Sequence, residues 1–564
     1  MPLIKITEQD LTKTGGTAED FDVVYIPGLV DTAQSCLIDK EGNYIGLEAN
    51  KPTLFTTVAE FVALCGKKAA KFETDQYYSD LNSIGTGFKD SAIPYHRTML
   101  PADSYDPSYI MAKELLNAGL CVLYERINGD TSYETLQAQP DDWDTNYQSY
   151  YTDVTSKERI ESVSAPEFVK DKYFKEVKTI VDTVTTVEYE ALSTKPADWD
   201  TRFFNYFEDV ARKANVPASE SGEAPTFDSA TFYTVNDGIN LVSIYKALEG
   251  VYSVDGYDGL QDLGNYSVKY LTSGGYPTYE YNGNSIVSKM IALSEQRGDC
   301  VAFIDHTDNQ YRQNNIDLPG SVYNAVKNDT SLKGNTEFAT MFTPHATYNR
   351  TTVDHETSSD GTSTVISKND SLRGSGTFAY LAALADSIKT NAPWLAVAGA
   401  TRGVVLNLAQ GGITTVIPNG AADAMQPRIG VSVNAITDIK PYGNVIWGNR
   451  TLKTNGENLT ATSFLNIRNL VSDVKKLCYR TARKLTYEQN NDILWINFKA
   501  EIAPTLDRML SGYGISGYKF VRDKEHENAN EKATLCAKIV LYPVYPVEDF
   551  YITIVLEDDE ISVE

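Results

Sequence analysis

The chain has 564 residues, of which 42% are hydrophobic and 22% are charged. This composition is typical of a folded protein and excludes a wholly disordered or fibrous chain. Its 50 Lys and Arg against 76 Asp and Glu give a formal charge of −26, which repels nucleic-acid phosphates and anionic lipids. No stretch reaches the roughly 18 apolar residues of a membrane-spanning helix, and the first residues lack the apolar run of a signal peptide. We expect a multidomain protein, made in the cytosol, that binds neither nucleic acid nor membrane.

The first part of the chain predicts a polar arm followed by an α/β core. Residues 1–20 are polar and read as an arm. The run from Val23 to Ile26, ended by Pro27 and Gly28, predicts a strand, and residues 58–65 have the apolar spacing of a helix. Residues 111–118 predict a second helix, which stops at Gly119 and leads into an apolar strand at 120–124.

A tandem repeat interrupts this core. The segment 133–136 (YETL) recurs as 189–192 (YEAL), and 140–145 (PDDWDT) recurs as 196–201 (PADWDT), both at an offset of 56 residues. A third block, 165–168, recurs at 224–227 with an offset of 59. Three blocks in one order predict a duplicated, β-rich module at 133–245 that is inserted into the core and lies on the outer surface.

The core pattern resumes after the repeat. A strand at 266–271, a helix carrying Ile286, Met290 and Leu293 on one face, and a strand at 300–304 predict a parallel βαβ unit. Residues 349–376 are rich in Ser, Thr, Asp and Gly and read as a long exposed loop, and 378–388 as an apolar helix. The predicted fold class is therefore α/β (α+β) and multidomain, with mixed β-sheets flanked by helices, the inserted repeat and extended terminal arms.

The last part of the chain predicts a basic helix and a second arm. Between 464 and 487 apolar residues recur at helical spacing, and Asp473 is the one acidic residue among six basic ones. The basic residues are Arg468, Lys475, Lys476, Arg480, Arg483 and Lys484. Residues 536–564 alternate strand-forming runs with prolines and read as a strand arm that ends in acidic residues.

The sequence offers little material for catalysis. It has five histidines and lacks the glycine and histidine spacings of phosphate-binding loops, nucleophile elbows and zinc proteases. Asp305, His306 and Asp308 follow a predicted strand, the place where α/β enzymes often hold catalytic groups, and form the best remaining candidate site. A polar loop at a strand end explains them as well. We therefore predict no enzyme, no cofactor and no metal.

Several motifs in the second half resemble the contractile tail sheath proteins of bacteriophages. The similarity is carried in order by 392–399 (APWLAVAG), 441–452 (PYGNVIWGNRTL), 464–470 (FLNIRNL), 487–491 with Trp495, and 512–518 (GYGISGY). Upstream, 24–28 (VYIPG) and 297–305 are similar to the opening and central strands of that family. The repeat at 133–245 departs from the family pattern.

This resemblance implies a structural subunit of the virion tail that is assembled in the host cytoplasm. Such subunits form a helical polymer of hexameric rings around an inner tail tube, together with baseplate and tail terminator proteins, and the polymer shortens to drive the tube through the host envelope. The implied divisions are an arm at 1–20, a core at 21–132 and 246–376, the inserted module at 133–245, a tube-facing domain at 377–535 and a strand arm at 536–564. A phage sheath and the sheath of a bacterial injection particle remain alternatives.

Two sets of residues are expected to carry this function. The six basic residues of the late helix would contact an acidic tube. Apolar residues of the two arms would add strands to neighbouring subunits, because extended arms can pair with exposed sheet edges. These arm residues are Leu3, Ile4, Ile6, Phe550, Ile552, Ile554 and Leu556.

A different class of function stays open for the repeat. Trp143 and Trp199 lie at equivalent positions of the two copies and are surrounded by other aromatic residues. They would suit a surface that binds host glycans or a receptor, as aromatic rings offer flat apolar faces with polar neighbours. The alternative is that both tryptophans fill the cores of small modules.

Overall fold

The computed structural model covers most of the predicted core. The first predicted arm, 1–20, lies outside the described residues, whereas 536–548 of the second predicted arm are described. The described residues are 22–30, 37–38, 44–66, 69–70, 106–127, 132–135, 138–139, 143, 173–181, 184–192, 233–236, 241–253, 259–306, 321–329, 332, 336–357, 363–405, 408–413, 416–456, 458–523 and 535–548.

The elements alternate between strands and helices along most of the chain. The strands are β1 Val23–Gly28, β2 Leu37–Ile38, β3 Tyr44–Ile45, β4 Thr53–Phe55, β5 Cys121–Arg126, β6 Ser132–Thr135, β7 Tyr173–Val181, β8 Val184–Leu192, β9 Tyr233–Asn236, β10 Tyr270–Thr272, β11 Val301–Ile304, β12 Ala339–Thr343, β13 Ala346–Thr357, β14 Ser363–Gly374, β15 Leu408–Ile413, β16 Asn434–Ile439, β17 Gly443–Trp447, β18 Ile515–Arg522 and β19 Ala537–Pro543. The helices are α1 Val58–Cys65, α2 Pro107–Ala118, α3 Leu241–Val251, α4 Ser285–Arg297, α5 Ser321–Asn328, α6 Gly376–Ile388, α7 Gly399–Arg402, α8 Asn419–Ala424, α9 Leu465–Leu485 and α10 Asp492–Ser511. Within the described ranges, no helix is long and apolar enough to cross a bilayer.

One eight-stranded sheet forms the centre of the molecule. Its strand order is β17-β16-β12-β11-β10-β1-β5-β4. The six inner strands run parallel, and the two edge strands β17 and β4 pair antiparallel with their neighbours. The predicted mixed sheet and the parallel β10–α4–β11 unit are confirmed.

The central sheet is buried on both faces, which explains the continuous apolar runs of its strands. In β1, Val24 and Ile26 join the core on the side of α1 and α2, whereas Tyr25 joins the core on the side of α3 and α4. Phe303 of β11 stacks on Phe342 of β12 on the first side, with ring centroids 6.0 Å apart. Both layers of helices are thereby fixed to one sheet.

Local capping explains where the predicted second helix begins and ends. Asp106 is fully buried and accepts hydrogen bonds from the backbone N–H groups of Ser108 and Tyr109, which the first turn of α2 leaves without helical partners. The Tyr276 hydroxyl donates to the same carboxylate at 2.7 Å. Gly119 ends the helix at φ 100°, in the left-handed region that glycine tolerates best.

The expectation of a long loop at 349–376 is wrong. Residues 346–357 and 363–374 form β13 and β14, which pair antiparallel over twelve residues in each strand, and β15 joins their sheet. The Ser, Asp and Gly content indicated turns, but this stretch also contains Thr and Val, which favour strands. The composition of this segment therefore does not distinguish a loop from a hairpin.

Four strands of the predicted insertion are described. β6 pairs with β9 so that Tyr133 lies opposite Val235, and β7 pairs with β8 so that Glu176 lies opposite Tyr189. Tyr133 and Tyr189 are equivalent positions of the two copies, at the offset of 56 residues. Glu176 and Val235 are also equivalent, at the offset of 59 residues that applies to the later part of the repeat. The first strand of each copy thus pairs with the last strand of the other in the same register. The duplication itself and its place on the outer surface stay predictions.

Glu125 of β5 is an acidic side chain enclosed by the central sheet. It is 5% exposed and accepts a 2.7 Å hydrogen bond from the Tyr25 hydroxyl. Burial raises the pKa of Glu125 to about 7, and the Tyr25 hydrogen bond opposes this rise. Because the folded protein holds this proton more tightly than the unfolded chain, the stabilisation is complete below about pH 4.5 and is lost as the pH rises through 7.

We therefore expect Glu125→Gln to flatten the pH dependence of stability. Relative to the wild type, the variant should gain about 3 kcal/mol in unfolding free energy between pH 4.5 and 7.5, because it has no proton to lose there. Urea unfolding at both pH values measures this difference. Glu114→Gln, on the exposed side of α2, is the control. Parallel pH curves for the wild type and Glu125→Gln would contradict the burial argument.

Candidate assembly surface

The last part of the described chain forms a unit with its own core. We call residues 465–523 and 535–548 the C-terminal unit. Its helices α9 and α10 enclose a cluster that is separate from the two cores of the central sheet. Members of this cluster are Leu470, Val474, Phe498, Ile502, Leu506, Met509 and Ile515. The predicted helix at 464–487 is confirmed as α9, and its apolar spacing faces this core.

A buried ion network fixes α9 to the central sheet. Lys269, which directly precedes β10, has no exposed surface, and its Nζ lies 2.7 Å from Asp22 Oδ1 and 2.9 Å from Asp473 Oδ2. The Tyr270 hydroxyl donates to Asp22 at 3.1 Å. Burial raises the pKa of Asp473, and the ammonium group of Lys269 opposes that rise. The start of β1, the start of β10 and the middle of α9 therefore share one buried charge.

Two of the six predicted basic contact residues are not on the surface of α9. Arg468 is 3% exposed, donates from Nη2 to the Gly298 carbonyl at 3.0 Å and covers the Phe338 ring at 3.9 Å. Lys476 is 5% exposed, and burial lowers its pKa to about 8. Both lie on the side of α9 that packs against the core, which a count of charges along the helix does not reveal. They are corrected from surface contacts to residues that join α9 to the body.

The other four basic residues are exposed along the second half of α9. Lys475, Arg480, Arg483 and Lys484 are all exposed, and Lys475 Nζ also lies 5.7 Å from the centre of the Phe338 ring. Lys484 pairs with Glu501 of α10 at 2.7 Å, with both side chains largely in solvent. Exposed pairs of this kind contribute little to stability. These four residues form the basic surface of the C-terminal unit, and their contact with a tube stays a prediction.

Within the described residues, the sheet of the C-terminal unit has two open edges. β18 and β19 pair only with each other, with Tyr518 opposite Leu541 and Phe520 opposite Ile539, and no other described strand joins them. These four side chains pack against the core of the unit and leave the outer backbone edges of both strands open. A two-stranded sheet is marginally stable by itself and offers its N–H and C=O groups to further strands.

After β19 the chain returns to the base of α9. The Tyr545 ring meets Phe464 edge to face at 5.3 Å, and Glu548 pairs with the buried guanidinium of Arg450. Exposed apolar side chains surround this return, among them Tyr542 at 53% and Val547 at 69%. The predicted strand arm therefore leaves the described structure from a fixed point beside the first turn of α9.

The remaining predicted site residues are placed as follows. All seven arm residues, Trp199 and Asp308 lie outside the described residues. Trp143 is 1% exposed, so its side chain is enclosed and offers no surface for a glycan. Of the two alternatives left open for the tryptophans, this burial favours a module core at Trp143, because a large indole gains most by leaving water.

The candidate catalytic residues Asp305 and His306 are also buried. Asp305 accepts a 3.2 Å hydrogen bond from the Ser273 hydroxyl, and His306 Nε2 lies 3.2 Å from the Phe342 carbonyl. His345 Nε2 lies 2.7 Å from the His306 carbonyl. These bonds tie the ends of β11 and β12 together, which is the role of a polar strand-end cluster.

Lys269 and Asp22 were not among the residues predicted to matter. The signal for Lys269 is that it is the one charged residue in the strand-forming run 266–271 (YSVKYL). Asp473 carries a similar signal as the one acidic residue of α9. A charge in a buried strand requires a partner of opposite sign, but the sequence does not show which of 76 acidic residues supplies it.

Comparisons with known proteins give matches among solved structures. A chain of the anti-feeding prophage baseplate has a TM-score of 0.40 and 13% identity over 57% of this chain and 76% of that chain. A sheath complex of an extracellular contractile injection system, in the contracted state, has a TM-score of 0.38 and 16% identity over 52% and 72%. The sheath tail protein of Desulfitobacterium hafniense has a TM-score of 0.38 and 9% identity over 96% and 100%. No protein-family model and no curated protein matches the sequence.

The buried network predicts a large cost for removing its cation. Lys269→Met leaves the carboxylates of Asp22 and Asp473 buried without a counter-charge, so we expect a loss of about 3–5 kcal/mol in unfolding free energy. Lys475→Met, on the exposed side of α9, is the control and should change it by less than about 1 kcal/mol. Urea unfolding measures both variants. An equal and small effect of the two substitutions would show that the network does not hold α9 in place.

Proposed function

We propose that this chain is a structural subunit of a contractile tail sheath, which polymerises helically around an inner tube and shortens to drive the tube through a host envelope. The observation that carries the proposal is the open-edged β18–β19 sheet of the C-terminal unit. It lies within the stretch whose motifs resemble tail sheath proteins, and the exposed basic surface of α9 belongs to the same unit. A sheath subunit needs both a way to join its neighbours and a face for the tube.

Strand addition explains how subunits would be joined. Residues 536–548 of the second arm are held on their own subunit, where 537–543 form β19. The arm at 1–20 and the segment 549–564 would place Leu3, Ile4, Ile6, Phe550, Ile552, Ile554 and Leu556 in strands that extend the β18–β19 sheets of neighbouring subunits. Main-chain hydrogen bonds supply the affinity in such pairings, whatever the orientation of the bodies at either end. The polymer would therefore stay continuous while the subunit bodies re-pack during shortening.

Charge explains how the polymer would hold its tube. Lys475, Arg480, Arg483 and Lys484 are exposed on one helix of a chain whose formal charge is −26. A local basic surface favours an acidic partner, because unlike charges attract and like charges repel. Exposed charge pairs weaken with salt and separate without breaking a packed core.

The fuller assembly belongs to the same proposal. The subunits would form hexameric rings within the virion tail, between a baseplate and a tail terminator, after assembly in the host cytoplasm. The duplicated insertion would lie on the outer wall. A glycan-binding role for the insertion is less well supported, because Trp143 is enclosed.

Proline substitution tests the strand arms. Ile552→Pro combined with Ile554→Pro removes two backbone N–H donors and so prevents ladder formation, whereas Ile552→Val with Ile554→Val keeps strand propensity. When each variant is co-expressed with tube protein, we expect the valine variant to form sheaths in negative-stain electron microscopy and the proline variant to remain as folded single subunits. Polymers of normal length from the proline variant would rule out this arm as the connector.

Charge reversal tests the tube contact. Lys475→Glu, Arg480→Glu and Arg483→Glu together should abolish assembly on co-expressed tube protein, because attraction becomes repulsion. The control reverses Lys51, Lys389 and Lys440 to Glu, three exposed lysines outside the C-terminal unit. Sedimentation of sheath with tube measures both variants, which carry the same net charge. Equal co-sedimentation of the two would remove α9 from the tube contact.

A further inference from the structure

A basic groove runs between the second half of α9 and the segment 262–267. Two adjoining cavities of about 420 and 200 Å³ form it, and Leu263, Ser267, Tyr479 and Arg480 line both of them. The basic side chains lining the groove are Arg297, Lys475, Lys476, Arg480, Arg483 and Lys484.

Carboxylates near the groove neutralise only part of this charge. Asp299 pairs with Arg297 at 3.0 Å, and Glu501 pairs with Lys484 at 2.7 Å. Asp262 uses its carboxylate to accept hydrogen bonds from its own loop, including the Gly264 N–H at 2.8 Å. Among the described residues that line the two cavities, six are basic and one, Asp299, is acidic, and this lining favours an anionic occupant.

A matching acidic segment leaves the described structure near the other end of α9. Residues 549–564 contain six acidic residues and no basic one, and four of the acidic residues are the run 557–560 (EDDE). The preceding residue, Glu548, is held by Arg450, which packs on Phe464 immediately before α9. The segment therefore starts at a known place.

The segment is long enough to reach the groove on its own subunit. From the first turn of α9 to Arg480–Lys484 the distance along the helix axis is about 25 Å, at about 1.5 Å per residue. The nine residues from Glu548 to Glu557 span up to about 30 Å when extended. A short tether also gives the acidic run an effective concentration in the millimolar range at its own groove.

We propose that the acidic run Glu557–Glu560 docks in the basic groove of its own subunit before assembly. The docked run covers Arg480, Arg483 and Lys484, the residues that would otherwise meet an acidic surface. Docking draws the strand-forming residues 550–556 along α9 and away from neighbouring subunits. This docking does not depend on whether the chain is a sheath subunit.

Its consequence for assembly rests on the proposed function. A free sheath subunit would keep its tube-facing charges occupied and its second arm folded back. An acidic tube would compete for the same groove and release the arm, so that polymerisation begins only where a tube is present. The acidic run would thus inhibit polymerisation in the absence of a tube.

Carbodiimide cross-linking of the full chain tests the docking. This reagent joins a carboxylate to an amine only where the two are in contact, and mass spectrometry identifies the linked peptides. We expect links from 557–560 to Lys475 or Lys484, and the Lys484–Glu501 pair serves as the internal positive control. Equal mixing of ¹⁴N- and ¹⁵N-labelled subunits should give linked peptides of one isotope only. Absence of the links, or linked peptides of mixed isotope, would overturn docking on the same subunit.

A charge exchange separates specific docking from general attraction. Arg480→Glu with Arg483→Glu should lower the yield of the 557–560 links about tenfold, because two attractions become repulsions. Replacing Asp558 and Asp559 by Lys in that variant should restore links from the remaining Glu557 and Glu560. Lys51→Glu with Lys440→Glu is the control of equal charge and should leave the yield unchanged. An equal fall in both pairs, or no recovery, would contradict the groove as the docking site.

The outcomes also distinguish the two proposals. Links to the groove in a chain that forms no polymer with or without a tube would leave docking in place and remove the sheath proposal. If unassembled subunits show the Lys484–Glu501 link and no 557–560 link, and the same chain forms sheaths on tubes, docking is ruled out and the sheath proposal stays in place.

Discussion

The constraint on which the structure depends is the burial of one ammonium group. Lys269 lies fully enclosed between the carboxylates of Asp22 and Asp473, and an isolated charge in that position would be strongly unfavourable. The three residues belong to the start of β1, the start of β10 and the middle of α9. Their pairing therefore decides how the C-terminal unit sits on the central sheet, and the chain preceding β1, the predicted first arm, leaves from the same place.

The described structure has two parts: the central sheet with its helices, and the C-terminal unit, which exposes groups that can contact other molecules. The central sheet is covered on both faces, and the buried carboxylates of Asp106 and Asp305 accept hydrogen bonds from neighbouring groups of the same body. The C-terminal unit instead leaves two sheet edges, several apolar side chains and four basic residues towards solvent. A helical polymer needs this combination, since a stiff body transmits force while open strand edges and exposed charges form contacts that can be exchanged.

The sequence predicted the elements whose patterns are local. Residues 58–65 have helical spacing and form α1 within those bounds, and the apolar run after Gly119 forms β5. The segment 349–376 differs from its prediction as a loop, because its Ser, Asp and Gly content is typical of turns while its Thr and Val residues favour strands. Arg468 and Lys476 were predicted as surface contacts and are buried, because the number of charges along α9 does not show which of them face the body. The partners of Lys269 lie 247 and 204 residues away, and no local pattern encodes a pairing at that distance.

The proposed assembly depends most on strand addition at the open edges of β18 and β19. A cryo-electron microscopy reconstruction of the polymer tests this strand addition directly. The sheet of each C-terminal unit is expected to contain at least one added strand from another subunit, with its backbone hydrogen-bonded to β18 or β19. A polymer in which that sheet keeps two strands and subunits meet only through side chains would contradict the account.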